Sequence, residues 1–281
     1  MEPIHPIGKD ISITLNGMTT CYDDFGTGEI PIIFIHGFPF DKSMWDVQME
    51  QLKKTNRVIA YDIRGYGKSS AGEDEQSIRL FADDLLNFMD ALFIEKAIVC
   101  GFSMGGYTLL SATSRYAKRF EALILCDTQC IADSTELKEK RNEVISQVKS
   151  GKINEFTETF LGSVFCPESI QLKPEIVEKA RAIILNTSPF TIAGGLAAIS
   201  QRWETFTTLC EINVPTLILS GRNDAITPVE QAEFMHKNIE NAKLYIIENA
   251  GHMSNLEQPE QFNKYLDHFI KSLVKEEMLV V

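Results

Sequence analysis

The sequence predicts an α/β protein built around a mostly parallel central sheet. Short runs that are apolar throughout recur along the chain, as is typical of strands buried on both faces. Segments with apolar residues at helical spacing lie between these runs. The alternation stops once, over residues 131–207, where helical patterns occur without a convincing strand. Buried strands that alternate with helices define this fold class.

The predicted strands begin with a hairpin near the start of the chain. Its two arms, ISITL and TTCYDDF, are rich in β-forming residues and are separated by NGM, a turn signal. Longer apolar runs then predict buried strands at residues 30–36, 57–62, 96–102, 121–127, 214–221 and 242–248.

Two segments predict helices with one apolar face, the pattern of a helix packed on a core. In residues 76–93 the positions that share a face are Ile78, Phe81, Leu85, Phe88 and Leu92. In residues 259–273 the same spacing connects Phe262, Tyr265, Phe269 and Leu273.

The interval 131–207 contains three candidate helices, within residues 134–151, 173–186 and 189–203. A helical block inserted where sheet strands end suggests a lid over a site. The alternative is a stabilising subdomain with no part in binding. We therefore expect a core formed by residues 1–130 and 208–281, with residues 131–207 as a helical cap.

Composition and charge limit the classes of partner. The 281 residues carry a net charge of −12, which argues against nucleic acid and against an anionic membrane surface. No apolar run approaches the ~20 residues of a membrane helix. The start, MEPIHPIGKD, lacks the basic and apolar regions of a signal peptide, so we expect a cytoplasmic protein. The six cysteines include no CxxC pair, which favours reduced thiols and no metal site.

The segment AIVCGFSMGGYTLLSA places Ser103 between a predicted strand and a predicted helix. Gly101 and Gly105 flank this serine in the pattern G-x-S-x-G, and Gly106 follows. This pattern in this context is typical of a sharp turn that exposes a nucleophilic hydroxyl. Glycines let the strand and helix approach closely, and the helix N-terminus points its N–H groups at the site. The alternative is a glycine-rich turn with an incidental serine.

A serine hydroxyl needs a base and an orienting group to act as a nucleophile. Of the five histidines, His252 lies in a loop after the last predicted strand, at the sheet edge where Ser103 is expected. Asp224, in a loop after the strand 214–221, is the predicted acid, and Asp127 at the end of strand 121–127 is its rival. The order Ser103, Asp224, His252 is typical of this kind of triad.

Three histidines have other expected places: His5 in a loose terminus, and His236 and His268 on partly solvated helix faces. His36 directly follows a buried strand, and we expect it to pack or hydrogen-bond behind the next loop.

The segment FIHGFPFDKSMW follows the strand 30–36 and supplies a candidate oxyanion hole. Gly37 allows a tight turn, so the backbone N–H of Phe38 can point toward the space beside Ser103. The N–H of Met104 would be the second donor, and two such donors stabilise a tetrahedral oxyanion. The alternative is a strand-ending turn packed by aromatic residues. The side chains of Phe38, Phe40, Met104 and Met253 would line an apolar pocket, although each could equally be plain core.

Together these segments resemble the α/β-hydrolase superfamily, in particular its capped serine hydrolases. The motifs HGFP, YDIRGYGKSS, GFSMGG, GRNDAITP and AGHMSNLEQPEQF resemble its signature segments in the right order. The resemblance spans residues 10–273 and is weakest across the helical insertion. It implies an eight-stranded, mostly parallel sheet flanked by helices, with the cap inserted after the sixth strand.

The resemblance also separates branches of the superfamily. Its haloalkane dehalogenases and epoxide hydrolases use an aspartate nucleophile, whereas position 103 is serine. Enzymes of menaquinone synthesis carry an arginine soon after SMGG, where this chain has Tyr107. The chain is most similar to carboxylesterases, enol-lactonases and cofactor-free haloperoxidase-type esterases.

The leading hypothesis is a cofactor-free serine hydrolase that cleaves small-molecule carboxylic esters or lactones through an acyl-enzyme. The alternatives are a C–C bond hydrolase of ring-cleavage products, a perhydrolase or haloperoxidase-type activity, and a slow-turnover ligand-binding homologue. The sequence leaves the substrate, the cap geometry and the oligomeric state open.

Overall fold

The computed structural model describes residues 7–277, with side-chain environments for residues 7–273. The N-terminal His5 lies outside the described residues. The strands, in chain order, are β1 Gly8–Leu15, β2 Met18–Phe25, β3 Ile32–Ile35, β4 Val58–Tyr61, β5 Ala97–Phe102, β6 Phe120–Cys126, β7 Thr216–Gly221 and β8 Ala242–Ile247.

These strands form one eight-stranded sheet in the order β1-β2-β4-β3-β5-β6-β7-β8. Only the β1–β2 and β2–β4 pairs within the described residues are antiparallel, and every other neighbouring pair is parallel. The predicted fold class is therefore confirmed. The strand order reverses between β4, β3 and β5, and such a switch point opens a crevice at the carboxyl ends of the strands.

The α-helices of the described residues are α1 Asp46–Leu52, α2 Ile78–Ala91, α3 Met104–Tyr116, α4 Thr135–Lys149, α5 Ile153–Val164, α6 Pro167–Leu172, α7 Pro174–Asn186, α8 Pro189–Ser200, α9 Val229–Asn238, α10 Ser254–Glu257 and α11 Pro259–Glu277. Short 3₁₀ helices occupy Lys42–Trp45, Ala117–Arg119 and Phe206–Glu211.

Helices cover both faces of the sheet. On one face Trp45 contacts the ring of Phe102 from β5 and the ring of Phe262 from α11, at centroid distances of 6.0 and 6.2 Å. On the other face Phe88 of α2 packs on Tyr61 of β4 at 5.0 Å. The predicted apolar faces of α2 and α11 thus point into the core.

The insertion between β6 and β7 is wholly helical within the described residues. The three helices predicted there correspond to α4, α7 and α8. Two more, α5 and α6, are not predicted by the sequence analysis. Since β6 and β7 pair directly, the insertion leaves and returns to adjacent strands of the sheet.

A few further features bear on the expectations from composition. Among the described residues no single helix has both the length and the apolarity to cross a membrane, and α7 with α8 pass that test only as a pair bent by 100°. No cluster of three or more potential metal ligands occurs in residues 7–273. The six cysteines are unpaired by disulfides, and Cys210 alone is exposed.

Candidate active site

Ser103 stands at the turn between β5 and α3, on the carboxyl edge of the sheet. Its backbone angles are φ 50° and ψ −111°, a conformation that a non-glycine residue adopts only when its surroundings enforce it. The enforcing contacts include a hydrogen bond from the Ser103 N–H to the Cys126 carbonyl at 2.9 Å. Thr128 Oγ1 donates to the Ser103 carbonyl at 2.9 Å. Both the N–H and the carbonyl of Ser103 are therefore hydrogen-bonded to residues at the end of β6 or just after it.

The glycines around Ser103 are required by close packing. A Cβ on Gly101 would overlap the carbonyl oxygen of Gly105, and a Cβ on Gly105 would overlap that of Ile35 in β3. A Cβ on Gly106 would overlap the side chain of Thr128. The helix α3 consequently sits directly against β3, β5 and the end of β6, which is the close approach that the sequence pattern predicts.

The structure brings Ser103, His252 and Asp224 together. Ser103 Oγ lies 2.9 Å from His252 Nε2, and His252 Nδ1 lies 2.8 Å from Asp224 Oδ2. An ionised carboxylate only accepts hydrogen bonds, so Nδ1 carries the proton and Nε2 is free to accept from the serine hydroxyl. All three residues are buried.

Asp224 is held by its own loop. Its Oδ1 accepts the N–H groups of Ile226 and Thr227 at 2.8 and 2.9 Å, and Thr227 Oγ1 donates to Oδ2 at 2.7 Å. Burial raises the pKa of the Asp224 carboxyl, but the neighbouring imidazole and these donors lower it more, so the net shift is downward. The group facing His252 is thus a carboxylate fixed in position.

Asp127, the rival acid, occupies a different place. Its Oδ1 accepts the Gly221 N–H at 2.8 Å, and Ser254 Oγ donates to its Oδ2. Burial, followed by the nearby charge of Asp224, raises the pKa of this carboxyl well above its ordinary value. Asp127 therefore connects the end of β7 with the residues after His252, whereas Asp224 makes the hydrogen bond to the imidazole.

The loop that carries His252 is bonded to the helical insertion. The N–H groups of His252 and Met253 donate to the carbonyl of Val164, the last residue of α5, at 2.8 and 3.2 Å. The fully buried carboxylate of Glu257 accepts the Gly251 N–H at 2.8 Å and the Cys166 N–H at 2.9 Å. One set of hydrogen bonds therefore joins the loop that carries His252 to the end of α5.

The candidate oxyanion donors lie in the loop after β3, for Phe38, and at the first residue of α3, for Met104. Among the described residues, neither the N–H of Phe38 nor that of Met104 donates to a protein acceptor. Buried backbone N–H groups are almost always paired, so an unpaired N–H on each of these two buried residues is suited to a ligand oxygen. Their role in binding an oxyanion stays a prediction.

His36 packs behind this loop. Its Nε2 accepts the Ile63 N–H at 2.9 Å, so Nδ1 carries the proton and donates to the Gly37 carbonyl at 2.9 Å. Burial lowers the pKa of this imidazole to about 4. His236 and His268 lie exposed on α9 and α11.

The four residues predicted to line an apolar pocket are all buried. The ring of Phe38 meets those of Phe156 and Phe160 from α5, at centroid distances of 6.3 and 5.9 Å. Phe40 also contacts Phe160, at 6.1 Å. Met104 and Met253 have no exposed surface. Whether these side chains receive an acyl group stays a prediction.

Comparisons with known proteins identify the family of this chain. Residues 30–259 match the sequence model of the α/β hydrolase fold family. The chain therefore belongs to the α/β hydrolase fold family, and the resemblance inferred from its motifs is confirmed.

Individual relatives span almost the whole chain. The chain is 29% identical to 3-oxoadipate enol-lactonase 1 of Acinetobacter baylyi, over 97% of this chain and 100% of that protein. A thermophilic esterase from Thermogutta terrifontis, solved with malate bound, matches with a TM-score of 0.89 and 32% identity over 94% of this chain and 98% of that one. The enol-lactonase from Burkholderia xenovorans matches with a TM-score of 0.87 and 27% identity, over 93% and 100% respectively.

Sequence reasoning missed Glu257, Thr227 and the two phenylalanines of α5. Glu257 and Thr227 lie inside motifs that the analysis singled out for His252 and Asp224, so proximity to those residues was the available signal. Phe156 and Phe160 recur at a spacing of four, which is a helical signal.

Proposed function

We propose that this protein is a serine hydrolase that cleaves carboxylic esters or lactones through an acyl-enzyme intermediate. The observation that carries the proposal is the unbroken hydrogen-bonded series from Asp224 through His252 to Ser103, with distances of 2.8 and 2.9 Å. Nucleophile, base and orienting carboxylate within hydrogen-bond reach are the geometric requirement for this chemistry. The enol-lactonase and esterase relatives support the same class of reaction.

In the proposed first half-reaction, Ser103 Oγ attacks the carbonyl carbon while its proton passes to His252 Nε2. The negative charge that forms on the carbonyl oxygen is bound by the N–H groups of Phe38 and Met104. Asp224 keeps the imidazole in the productive tautomer and stabilises the imidazolium. The C–O bond then breaks, and His252 returns the proton to the leaving oxygen.

In the second half-reaction, water takes the place of the serine hydroxyl. His252 accepts a proton from water, the resulting hydroxide adds to the acyl carbon, and the bond to Ser103 Oγ breaks with return of the proton to that oxygen. The carboxylic acid leaves, and the protein regains its starting state. With a lactone the leaving alcohol stays attached to the acyl part, so one hydroxy acid is released.

The helical insertion, residues 131–207, is proposed to cap this site on a core made of 1–130 and 208–281. The support is contact: Phe160 of α5 packs on Phe38, and Val164 bonds to His252. The four predicted pocket residues, Phe38, Phe40, Met104 and Met253, together with Phe156 and Phe160 would then surround the acyl group. Large aromatic rings on two sides favour a small or medium acyl chain.

The test is a substrate panel run on wild type and Ser103→Ala. The panel contains p-nitrophenyl esters of two, four and eight carbons, a simple enol-lactone, a ring-cleavage dienoate, and acetate with hydrogen peroxide. We expect ester or lactone turnover in the wild type and at least roughly a 1,000-fold loss in Ser103→Ala. Ester turnover that survives in Ser103→Ala would refute the assignment.

The remaining outcomes separate the alternatives. Dienoate cleavage without ester turnover would identify a C–C bond hydrolase, and peracid formation that exceeds ester hydrolysis would identify a perhydrolase. Stoichiometric labelling of Ser103 by a fluorophosphonate with negligible turnover on every substrate would identify a ligand-binding homologue.

A further inference from the structure

A cavity of about 430 Å³ lies outside the three residues of the proposed triad. It is open to solvent on one side and is lined by the start of α2, the exposed side of α3, the residues after β6 and the segment that follows α8. A volume of this size is typical of a pocket for a small organic molecule. The mechanism proposed above uses none of its lining residues.

Two polar side chains in this cavity are more than nine-tenths buried and lack a protein partner. Tyr107 is 6% exposed and Gln129 is 9% exposed, and neither side chain makes a hydrogen bond to another described residue. The Tyr107 hydroxyl and the Gln129 amide, which border open volume, are therefore free to bind a ligand.

The position of Tyr107 is fixed by a cation. The guanidinium of Arg202 stacks on the Tyr107 ring, 4.4 Å from its centroid. Arg202 is itself held by Asp133 at 2.7 Å and by the Ile131 carbonyl at 2.9 Å. The hydroxyl is thus presented on a side chain whose orientation is set before any ligand arrives, which lowers the entropic cost of binding.

One of the cations on the cavity wall has no carboxylate partner among the described residues. Arg79, Arg115 and Arg202 line it, and Glu204 is the one carboxylate among its described lining residues. Arg115 is paired with Asp83, whereas no carboxylate of the described residues pairs with Arg79. A free guanidinium together with a hydroxyl and an amide forms a donor set suited to a carboxylate.

We infer that this cavity is a binding site for a small organic carboxylate, separate from the Ser103 site. The carboxylate accepts from Arg79, the Tyr107 hydroxyl and the Gln129 amide, and the apolar part of the ligand lies against the ring of Trp203 at the rim. The inference does not rest on the proposed hydrolase activity.

The chain offers a direct optical readout. It contains two tryptophans, of which Trp45 is fully buried in the core and Trp203 is 90% exposed at this cavity. Succinate is titrated into the Ser103→Ala protein at constant ionic strength while tryptophan fluorescence is recorded, with neutral succinamide as the matched control. We expect a saturable change with a Kd below roughly 10 mM for succinate and none for succinamide.

Two variants locate the binding. Arg79→Gln removes an exposed charge and Tyr107→Phe removes a single hydroxyl, so neither is expected to unfold the protein. We expect each to weaken succinate binding by roughly fivefold or more, whereas Arg181→Gln, which removes the same charge from α7, leaves it unchanged. Trp203→Phe should abolish the fluorescence change while calorimetry still detects binding.

The inference is wrong if succinate gives no saturable change, if succinamide gives an equal one, or if Arg79→Gln and Tyr107→Phe bind like wild type. It is also wrong if a phosphonyl group placed on Ser103 in the wild type abolishes binding, because the cavity would then be part of the acyl site. Succinate binding by a protein that hydrolyses no ester would refute the proposed function and leave this inference standing.

Discussion

The backbone N–H of His252 donates a hydrogen bond to the carbonyl oxygen of Val164 at 2.8 Å. Val164 ends α5 in the helical insertion, so the imidazole loop and the insertion are joined directly. Glu257 adds a second joint, because its two carboxylate oxygens accept N–H groups from the imidazole loop and from Cys166. A shift of the chain around residue 164 must therefore also shift His252.

Glu257 is expected to be a positioning residue for His252. In Glu257→Ala the buried N–H groups of Gly251 and Cys166 lose their acceptor, at about 1–3 kcal/mol for each group left unpaired. We expect a lower urea midpoint and a kcat for ester hydrolysis reduced about tenfold or more. Glu257→Gln, which keeps one acceptor oxygen, should recover part of both. Glu260→Ala, an exposed change on α11, is the control, and equal behaviour of the two alanine variants would contradict the prediction.

The two buried aspartates are expected to differ in kinetics. Asp224→Asn should lower kcat by roughly 1,000-fold or more, because an amide facing Nδ1 disfavours the productive tautomer. Asp127→Asn should change kcat by less than about tenfold, because the Asp127 side chain hydrogen-bonds Gly221 and Ser254 and not the imidazole of His252. Steady-state kinetics of both variants on one ester decide the matter, and the reverse ranking would make Asp127 the acid.

His36 is expected to make stability depend on pH. Burial lowers its pKa from 6.5 to about 4, so between these values the unfolded chain binds a proton that the folded chain does not. The stabilisation is fully present above pH 6.5 and is lost as the pH falls toward 4. It amounts to about 3–4 kcal/mol, at ~1.4 kcal/mol for each pH unit. The free energy of unfolding should fall less steeply with acidification in His36→Gln than in wild type. Parallel curves would show that His36 does not titrate in this range.

The close packing of α3 against β3 at Gly105 can be tested by measuring stability. Gly105→Ala places a methyl group against the Ile35 carbonyl. Because this carbonyl belongs to the backbone of β3, it cannot easily move away, and we expect the free energy of unfolding to fall by about 1–3 kcal/mol. Gly162→Ala on α5 meets no atom within 4 Å and should stabilise the helix by about 0.5–1 kcal/mol. Chemical denaturation of both variants gives the comparison. A Gly105→Ala protein as stable as wild type would show that α3 and β3 can separate without cost.

The ring of Phe160 is expected to limit the acyl chain. Phe160→Ala removes contacts with Phe38 and Phe40 and should raise kcat/KM for eight-carbon p-nitrophenyl esters relative to two-carbon esters by roughly fivefold. Phe190→Ala, which removes a ring that is 81% exposed on α8, should leave this ratio unchanged. An unchanged ratio in Phe160→Ala would exclude its ring from the acyl pocket.

Much of the sheet and the position of each triad residue could be predicted from the sequence. The strands β3, β4 and β5 are apolar at every position because both of their faces are covered, and this leaves an unambiguous pattern. Ser103, Asp224 and His252 each follow a predicted strand, and parallel strands bring their carboxyl ends to one edge.

What escaped prediction depends on contacts between distant parts of the chain. Glu257 and Cys166 lie 91 positions apart, and nothing in the local pattern around either residue indicates the other. Lys152, the residue before α5, makes no side-chain capping hydrogen bond, so the usual start signal of a helix is missing. The cavity beside Tyr107 is formed by four separate segments, whose relative placement only the folded chain reveals.

The pairing of β6 with β7 has a consequence for how the sequence of such a protein can evolve. These strands stay in register from Leu123 opposite Thr216 to Cys126 opposite Leu219, although the whole insertion separates them along the chain. Changes of length in the insertion can therefore leave the pairing of β6 with β7 untouched. Only the parts of the insertion away from Val164 and Cys166 are free to vary in this way, because these two residues hydrogen-bond the segment that carries His252 and Glu257.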